Sequence, residues 1–335
     1  MIIDTHIHLD GEEFEDDLEL VVERARLAGV CRMLLPAIDV ETTKRVALLA
    51  ERLEGFAFPM IGLHPEEVKD DWQQQLDILR PMLGEPYIAI GEIGLDFYWS
   101  REYEQQQLEA FEQQVTWSVE TQMPLMIHCR KAQNEMVGIM KKYKDKLPGG
   151  VFHCFTGNEK EAEQLLAFDR FSLGIGGVLT FKKSNLPAVL PSIPLQRIVL
   201  ETDAPYMAPV PMRGKRNESC YLKYVVEKMA ECYNTSTEEV ERVTTSNAER
   251  RPEAEAGSHS QRHNLHSRAQ GRALRAVEGA ALHSAEGDRG QDEDCGRSER
   301  LQTTCRGKRM AYLHTALFIH NGQRCHDCHH RPLQQ

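Results

Sequence analysis

His6 and His8, separated by one residue, are the first side chains in this sequence with an evident chemical use. In an extended segment residues i and i+2 point to the same face, so both imidazoles aim at one point. An isolated His-x-His is equally readable as a pair of loop histidines, and the neighbours must decide. Residues 1–250 hold five histidines, His6, His8, His64, His128 and His153, and each lies at the C-terminal end of a short apolar run. Glu92 and Asp203 stand in the same relation to the runs ending at Gly91 and Leu200. Mixed imidazole and carboxylate donors suit Zn, Mn or Fe, and carboxylates alone suit Mg, so the set does not choose a metal. It does suggest a number. One catalytic zinc takes three protein ligands and an open position, whereas His6, His8, Glu92, His128, His153 and Asp203 make six. A pair of divalent ions sharing a carboxylate accounts for six better, although any one member can instead be satisfying hydrogen bonds at the mouth of the fold. Such ions acidify water into a nucleophile at neutral pH. Asp203, after the last strand, is placed to accept its proton.

Elements that would bring these residues together are legible as eight apolar runs: Met1–Thr5, Val30–Ile38, Ala57–Leu63, Tyr87–Ile93, Pro124–Ile127, Val151–Phe152, Phe171–Ile175 and Ile198–Leu200. Amphipathic segments lie between them, including Leu18–Leu27 with Leu20, Val21 and Ala25, and Glu102–Glu120 with Leu108, Phe111 and Val115. Runs apolar on both faces and joined by helices predict a parallel sheet. Eight such units favour a TIM-type (β/α)8 barrel over an open doubly wound sheet, and no GxGxxG follows the first run. Functional side chains of such a barrel gather at the C-terminal ends of its strands, where the six candidates fall. A last helix is predicted over Thr237–Arg250.

Composition divides the chain in two. Residues 1–250 hold 27 Lys and Arg against 41 Asp and Glu, a formal charge of −14; residues 251–335 hold 13 against 10. In the second segment Leu, Ile, Val and Phe make up 10 of 85 residues, too few to offset the chain entropy lost on folding. The reading is a barrel over 1–250 and a disordered or frame-shifted tail over 251–335. The acidic balance argues against a broad basic face for a phosphate backbone, so an anionic substrate must be held by metals and a few cations. No signal-like N-terminus and no spanning apolar run is evident, and the nine cysteines are odd in number and scattered; a reduced cytoplasmic setting without disulfides or membrane is expected. Cys129 and Cys154 each follow a ligand candidate, and strand alternation sends them to the opposite side as small apolar residues.

Six ordered segments carry a family likeness: Asp4-Thr5-His6-Ile7-His8-Leu9, Gly62-Leu63-His64-Pro65, Gly91-Glu92-Ile93-Gly94-Leu95-Asp96-Phe97-Tyr98, His128-Cys129-Arg130, His153-Cys154-Phe155-Thr156-Gly157, and Glu201-Thr202-Asp203-Ala204-Pro205 followed by Arg213-Gly214-Lys215-Arg216-Asn217-Glu218. On these residues the chain resembles the TatD-like metal-dependent deoxyribonucleases of the amidohydrolase superfamily over about 1–250. The resemblance implies a TIM barrel with Mg, Mn or Zn. It implies His6, His8, Glu92 and Asp203 around one ion and Glu92, His128 and His153 around the other. It also implies hydrolysis of DNA phosphodiesters, single strands included, often from the 3′ end. Some relatives look like D-aminoacyl-tRNA deacylases, and other ester or amide hydrolysis uses the same kind of site. A barrel that merely binds metal or a partner is the alternative of another class.

His64, Arg130, Lys215 and Arg216 supply donors near strand ends and are expected as substrate phosphate contacts. A solvated basic loop is the alternative for Lys215 and Arg216. Tyr98 and Trp99 can stack on a base or anchor a loop. Two departures from the family pattern stand out. Ser219 occupies the place of a proline, and Arg251-Pro252-Glu253 replaces the apolar continuation of the closing helix. We expect a frayed end there. Cys325-His326-Asp327-Cys328-His329 has the C-x-x-C-H spacing, but nine of the fourteen histidines fall in this tail, so His-Cys clusters arise there incidentally.

Overall fold

The computed structural model describes residues 1–250. The expectations placed on 251–335, including disorder, frame shift and the Cys325–His330 cluster, lie outside the described residues. Strands and helices alternate as β1 (Ile2–Asp4), α1 (Leu18–Leu27), β2 (Val30–Leu35), α2 (Val40–Arg52), β3 (Ala57–Pro59), α3 (Trp72–Leu79), β4 (Ile90–Asp96) and α4 (Glu104–Thr121). They continue as β5 (Leu125–Arg130), α5 (Gln133–Lys141), β6 (Gly150–Phe152), α6 (Glu159–Leu166), β7 (Phe171–Ile175), α7 (Leu186–Val189), β8 (Ile198–Leu200), α8 (Leu222–Tyr233) and α9 (Thr237–Glu249). All strand pairs are parallel, in the orders β1-β2-β3 and β4-β5-β6-β7-β8. Single bridges complete the circuit between these two sets, Ile61 with Ile90 and Ile7 with Ala204. At the second seam Thr5 N–H donates to the Leu200 carbonyl at 3.0 Å and Asp203 N–H to the His6 carbonyl at 2.9 Å. The result is the expected TIM-type barrel.

Local signals explain most helix starts. Asp39 caps α2 with its carboxylate on Thr42 N–H at 2.7 Å while Thr42 Oγ1 accepts from Asp39 N–H at 2.8 Å, and Asn158 and Glu161 make the same reciprocal box on α6. Ser236 caps α9, accepting from Glu239 N–H at 3.2 Å. Helix α1 buries Val21, Val22 and Ala25 but leaves Leu20 exposed, so one of its expected core positions faces solvent. Helix α4 buries Phe111 and Val115 as its spacing predicts. Helix α9 buries Val240 and Val243, and Asn247 Nδ2 donates to the Leu195 and Ile198 carbonyls at 2.9 and 2.7 Å, which pins it beneath β8.

The fourth strand differs from its sequence reading. It begins three residues later than the run Tyr87–Ile93 and continues three residues past it, to Asp96, so Glu92 sits near the start of the strand. Its glycines are sites of close approach. A Cβ on Gly94, whose φ is +152°, would sit 1.8 Å from the His128 carbonyl oxygen. Glycine there lets β4 and β5 run together far enough to pair Gly94 with His128 and Asp96 with Arg130. All seven residues of β4 are buried.

Candidate metal centre

The six ligand candidates meet at one end of the barrel, and Glu92 is their centre. Its Oε2 faces the first strand, 3.2 Å from His6 Nε2 and 3.6 Å from His8 Nε2. Its Oε1 lies 2.9 Å from His128 Nδ1 and 3.7 Å from His153 Nε2, from the two strands that follow, and 3.5 Å from His64 Nε2, from the segment after β3. Asp203 Oδ1 closes the ring at 3.5 Å from His8 Nε2, 3.7 Å from His6 Nε2 and 3.9 Å from His153 Nε2. Asp203 itself adopts a left-handed backbone, φ +54°, uncommon for a residue with a side chain and found mostly where surrounding structure enforces it. Its N–H bond to the His6 carbonyl is part of that enforcement.

Donor chemistry and spacing fit divalent cations. His6, His8 and Asp203 form one group, His6, Glu92 and His153 a second, and His64, Glu92 and His128 a third, with the ligand atoms of each group within 4.8 Å of one another. Donors so disposed can surround an ion at roughly 2.0–2.2 Å. His6 Nε2 and His8 Nε2 lie 3.2 Å apart, so at most one can carry a proton between them and the other offers a lone pair. On the sides turned away from the centre, buried His6 Nδ1 has no hydrogen-bond partner, and His153 Nδ1 faces Glu201 Oε2 at 3.2 Å as an ion-pair contact without hydrogen-bond geometry.

Electrostatics keep the carboxylates ionised. Burial alone would raise Glu92, but His6, His64 and His153 hold it well below the usual carboxylate range. Asp203 is likewise pushed up by burial and brought below its ordinary value by His153, His8 and His6. His128 shows the reverse balance: burial opposes its charge, yet Asp96 and Glu92 raise it to about 10. A buried anionic centre ringed by imidazoles is built for positive charge.

His64, expected to touch substrate phosphate, has its Nε2 3.5 Å from Glu92 Oε1 beside the ligand ring, and its Nδ1 caps the short turn Pro65–Glu67 by accepting from Glu66 N–H at 3.2 Å. Arg130 ends β5 with its guanidinium carbon 3.6 Å over the Tyr98 ring. Lys215 is exposed in the loop before Asn217. Arg216 corrects the expectation made for it. Its Nη1 lies 2.7 Å from Asp17 Oδ1 and its Nη2 2.8 Å from Glu218 Oε1, and Arg24 joins the same two carboxylates. These donors clamp the loop to α1 and are not offered to a phosphate. Cys129 packs against the core as expected, its thiol raised to about 12 by burial. Cys154 lies past the end of β6 in a left-handed turn, φ +49°, with its N–H donating to Glu201 Oε1 at 2.6 Å, so strand alternation does not govern it.

Three supporting residues were given no role in the sequence reading. Asp96 Oδ2 lies 2.9 Å from His128 Nε2, and the signal was its i+4 spacing from Glu92, the same face of a strand that looked too short to include it. Glu201 Oε2 lies 3.2 Å from His153 Nδ1, and Gly174 makes room for it, since a Cβ there would sit 2.0 Å from that oxygen. Asp4, fully buried, accepts from Ser219 Oγ at 2.5 Å, Thr202 Oγ1 at 2.7 Å and Thr202 N–H at 3.0 Å, which ties β1 to the segment after β8 and so sets His6 against Asp203. Ser219 thus supplies a bond that a proline in its place has no hydroxyl to make.

Residues 3–251 match the family model described as TatD related DNase. An uncharacterized metal-dependent hydrolase, YabD of Bacillus subtilis (strain 168), is 38% identical over 252 residues, which cover 75% of this chain and 98% of that protein. The 3′-5′ ssDNA/RNA exonuclease TatD of Pantoea vagans (strain C9-1) is 36% identical, over 71% of this chain and 94% of its own length. Among solved structures YjjV, a TatD homolog from Escherichia coli K12, superposes with a TM-score of 0.68 at 29% identity, covering 74% of this chain and 96% of that one.

Proposed function

We propose, from the premise that this chain belongs to the TatD related DNase family and is a metal-dependent hydrolase, that it removes nucleotides from the 3′ ends of DNA by phosphodiester hydrolysis at a two-ion site. The observation that carries the reading is the division of Glu92, one oxygen toward His6 and His8 and the other toward His64, His128 and His153. That is the disposition of a bridging carboxylate. His6, His8 and Asp203 would hold one ion with Glu92, and His128 and His153 the other, with His64 close enough to join it. Bound divalent ions supply acidified water and offset charge on the phosphoryl oxygens.

The chain's own groups do the rest. Asp203, ionised and partly open to the cleft, accepts the proton of the attacking water at Oδ1. Asp96, hydrogen-bonded to the far nitrogen of His128, orients that ring toward the centre, and the Glu201 carboxylate stands 3.2 Å from the far nitrogen of His153. Arg130 and Lys215 are assigned to substrate phosphate. The activity belongs to residues 1–250.

Purified protein incubated with end-labelled single- and double-stranded DNA, in Mg, Mn or EDTA, tests this. Shortening from the 3′ end that needs the ion and is lost in Asp203→Asn is the expected result. Cleavage that survives Asp203→Asn refutes the mechanism, and no shortening with any ion refutes the substrate.

A further inference from the structure

Two stretches of this acidic barrel carry no carboxylate. Residues 170–200 and 204–217 hold seven Lys and Arg and no Asp or Glu, although residues 1–250 hold 41 acidic side chains. Three of the seven cations serve the fold. Arg170 donates to the Leu147 carbonyl at 3.4 Å, Arg197 to the Phe171 and Phe168 carbonyls at 2.9 and 2.8 Å, and Arg216 is held by Asp17 and Glu218. Lys182, Lys183 and Arg213 are exposed on the loops that follow β7 and β8.

Both loops stand at the C-terminal ends of their strands, on the rim that carries the ligand ring. They are tied together. Val210 N–H donates to Thr180 Oγ1 at 2.8 Å, and the guanidinium carbon of Arg213 lies 3.9 Å from the centroid of the Phe181 ring, the residue before Lys182. Arg213 Nη1 also donates to the Ala208 carbonyl at 3.2 Å, which fixes the guanidinium without neutralising it. The three cations are thereby gathered in one sector of the rim. Lys215, the phosphate contact of the nuclease reading, is two positions beyond Arg213, so the sector adjoins the site. Screening over about 10 Å at 0.1 M salt limits the reach of carboxylates elsewhere on the barrel, and an acid-free sector keeps a local positive field.

We infer that Lys182, Lys183 and Arg213 hold backbone phosphates of the strand left behind, on the 5′ side of the hydrolysed bond, so that the protein favours ends carried on a longer chain over dinucleotides. This inference rests on the nuclease reading. Lysines act on phosphates as point charges and carry no preference for base. Each contact releases condensed counterions, so its contribution is read as a dependence on salt.

The full chain carrying Asp203→Asn is titrated in Mg with a 5′-labelled thymidylate dinucleotide and with an oligothymidylate of about twelve nucleotides, and binding is followed by fluorescence anisotropy from about 50 to 200 mM KCl. The longer strand should bind about tenfold or more tighter. Lys182→Gln with Lys183→Gln should weaken the longer strand by about tenfold and flatten its plot of log affinity against log salt by about 1.4, the release from two single-strand phosphate contacts, whereas Lys182→Arg with Lys183→Arg keeps both. Far-UV circular dichroism checks that both variants are folded. An unchanged affinity and slope overturns the inference, as does an equal loss for the dinucleotide. Tighter binding of polyaspartate than of the longer strand assigns the sector to an acidic protein and overturns it too. The nuclease reading fails separately: if the lysines govern binding of the longer strand and wild-type protein shortens no oligothymidylate in Mg or Mn, hydrolysis is refuted and the strand site stands.

Discussion

Glu92 Oε1 lies 2.9 Å from His128 Nδ1, though 36 positions separate the two residues in the chain. Neighbouring parallel strands make the contact, and its value is that the other oxygen of Glu92 remains turned to His6. Glu92→Gln keeps the shape but replaces one oxygen by a donor and removes the charge that balances several imidazoles. Hydrolysis should fall by about 10²–10⁴-fold at saturating metal. Metal-titrated kinetics checks this, and a loss recovered merely by raising the metal concentration would reduce Glu92 to a simple affinity determinant.

Asp96→Asn should weaken metal binding or activity by about 10–100-fold, the usual cost of removing the partner of a ligating histidine. Calorimetric titration with Mn is the measurement. An affinity and rate equal to wild type would show that His128 needs no orienting group.

Adding metal to chelator-stripped protein should raise its melting temperature. An ion at a hundred times its dissociation constant adds about 2.7 kcal/mol, which in a domain of this size corresponds to an upward shift of roughly 5–10 °C. Calorimetry in EDTA and then in Mg, Mn or Zn reads it directly. No shift with any of the three would contradict a preformed centre.

Acid should loosen the clamp between α1 and the loop after β8. Hydrogen bonds from Arg216 and Arg24 lower Asp17 from 3.8 to about 2. A carboxylate with a folded pKa below its unfolded one contributes stability in full above the unfolded value and loses it as pH falls through the folded value. The difference in melting temperature between wild type and Asp17→Asn should therefore be constant above about pH 5 and shrink from about pH 4 to pH 2. A difference that persists unchanged at the acid end would assign the effect of the substitution to packing.

Much of this protein is written locally. Apolar runs and helical spacing placed eight strands and the main helices because burial on both faces of a strand and on one face of a helix leaves a periodic trace. His6, His8, Glu92, His128, His153 and Asp203 were legible for a related reason: strand ends recur at one rim of a barrel, so chemistry-bearing residues at those ends converge. Contacts between distant segments leave no such trace. The extent of β4 depended on how closely Gly94 could approach His128, a property of two strands rather than one. For the same reason Asp96 was passed over, and Arg216, a plausible phosphate ligand by type and position, proved to be occupied by Asp17, 199 positions away at the start of α1. Residue type and periodicity determined which groups the barrel would gather; only the packed chain decided which of their hydrogen bonds remained to be offered.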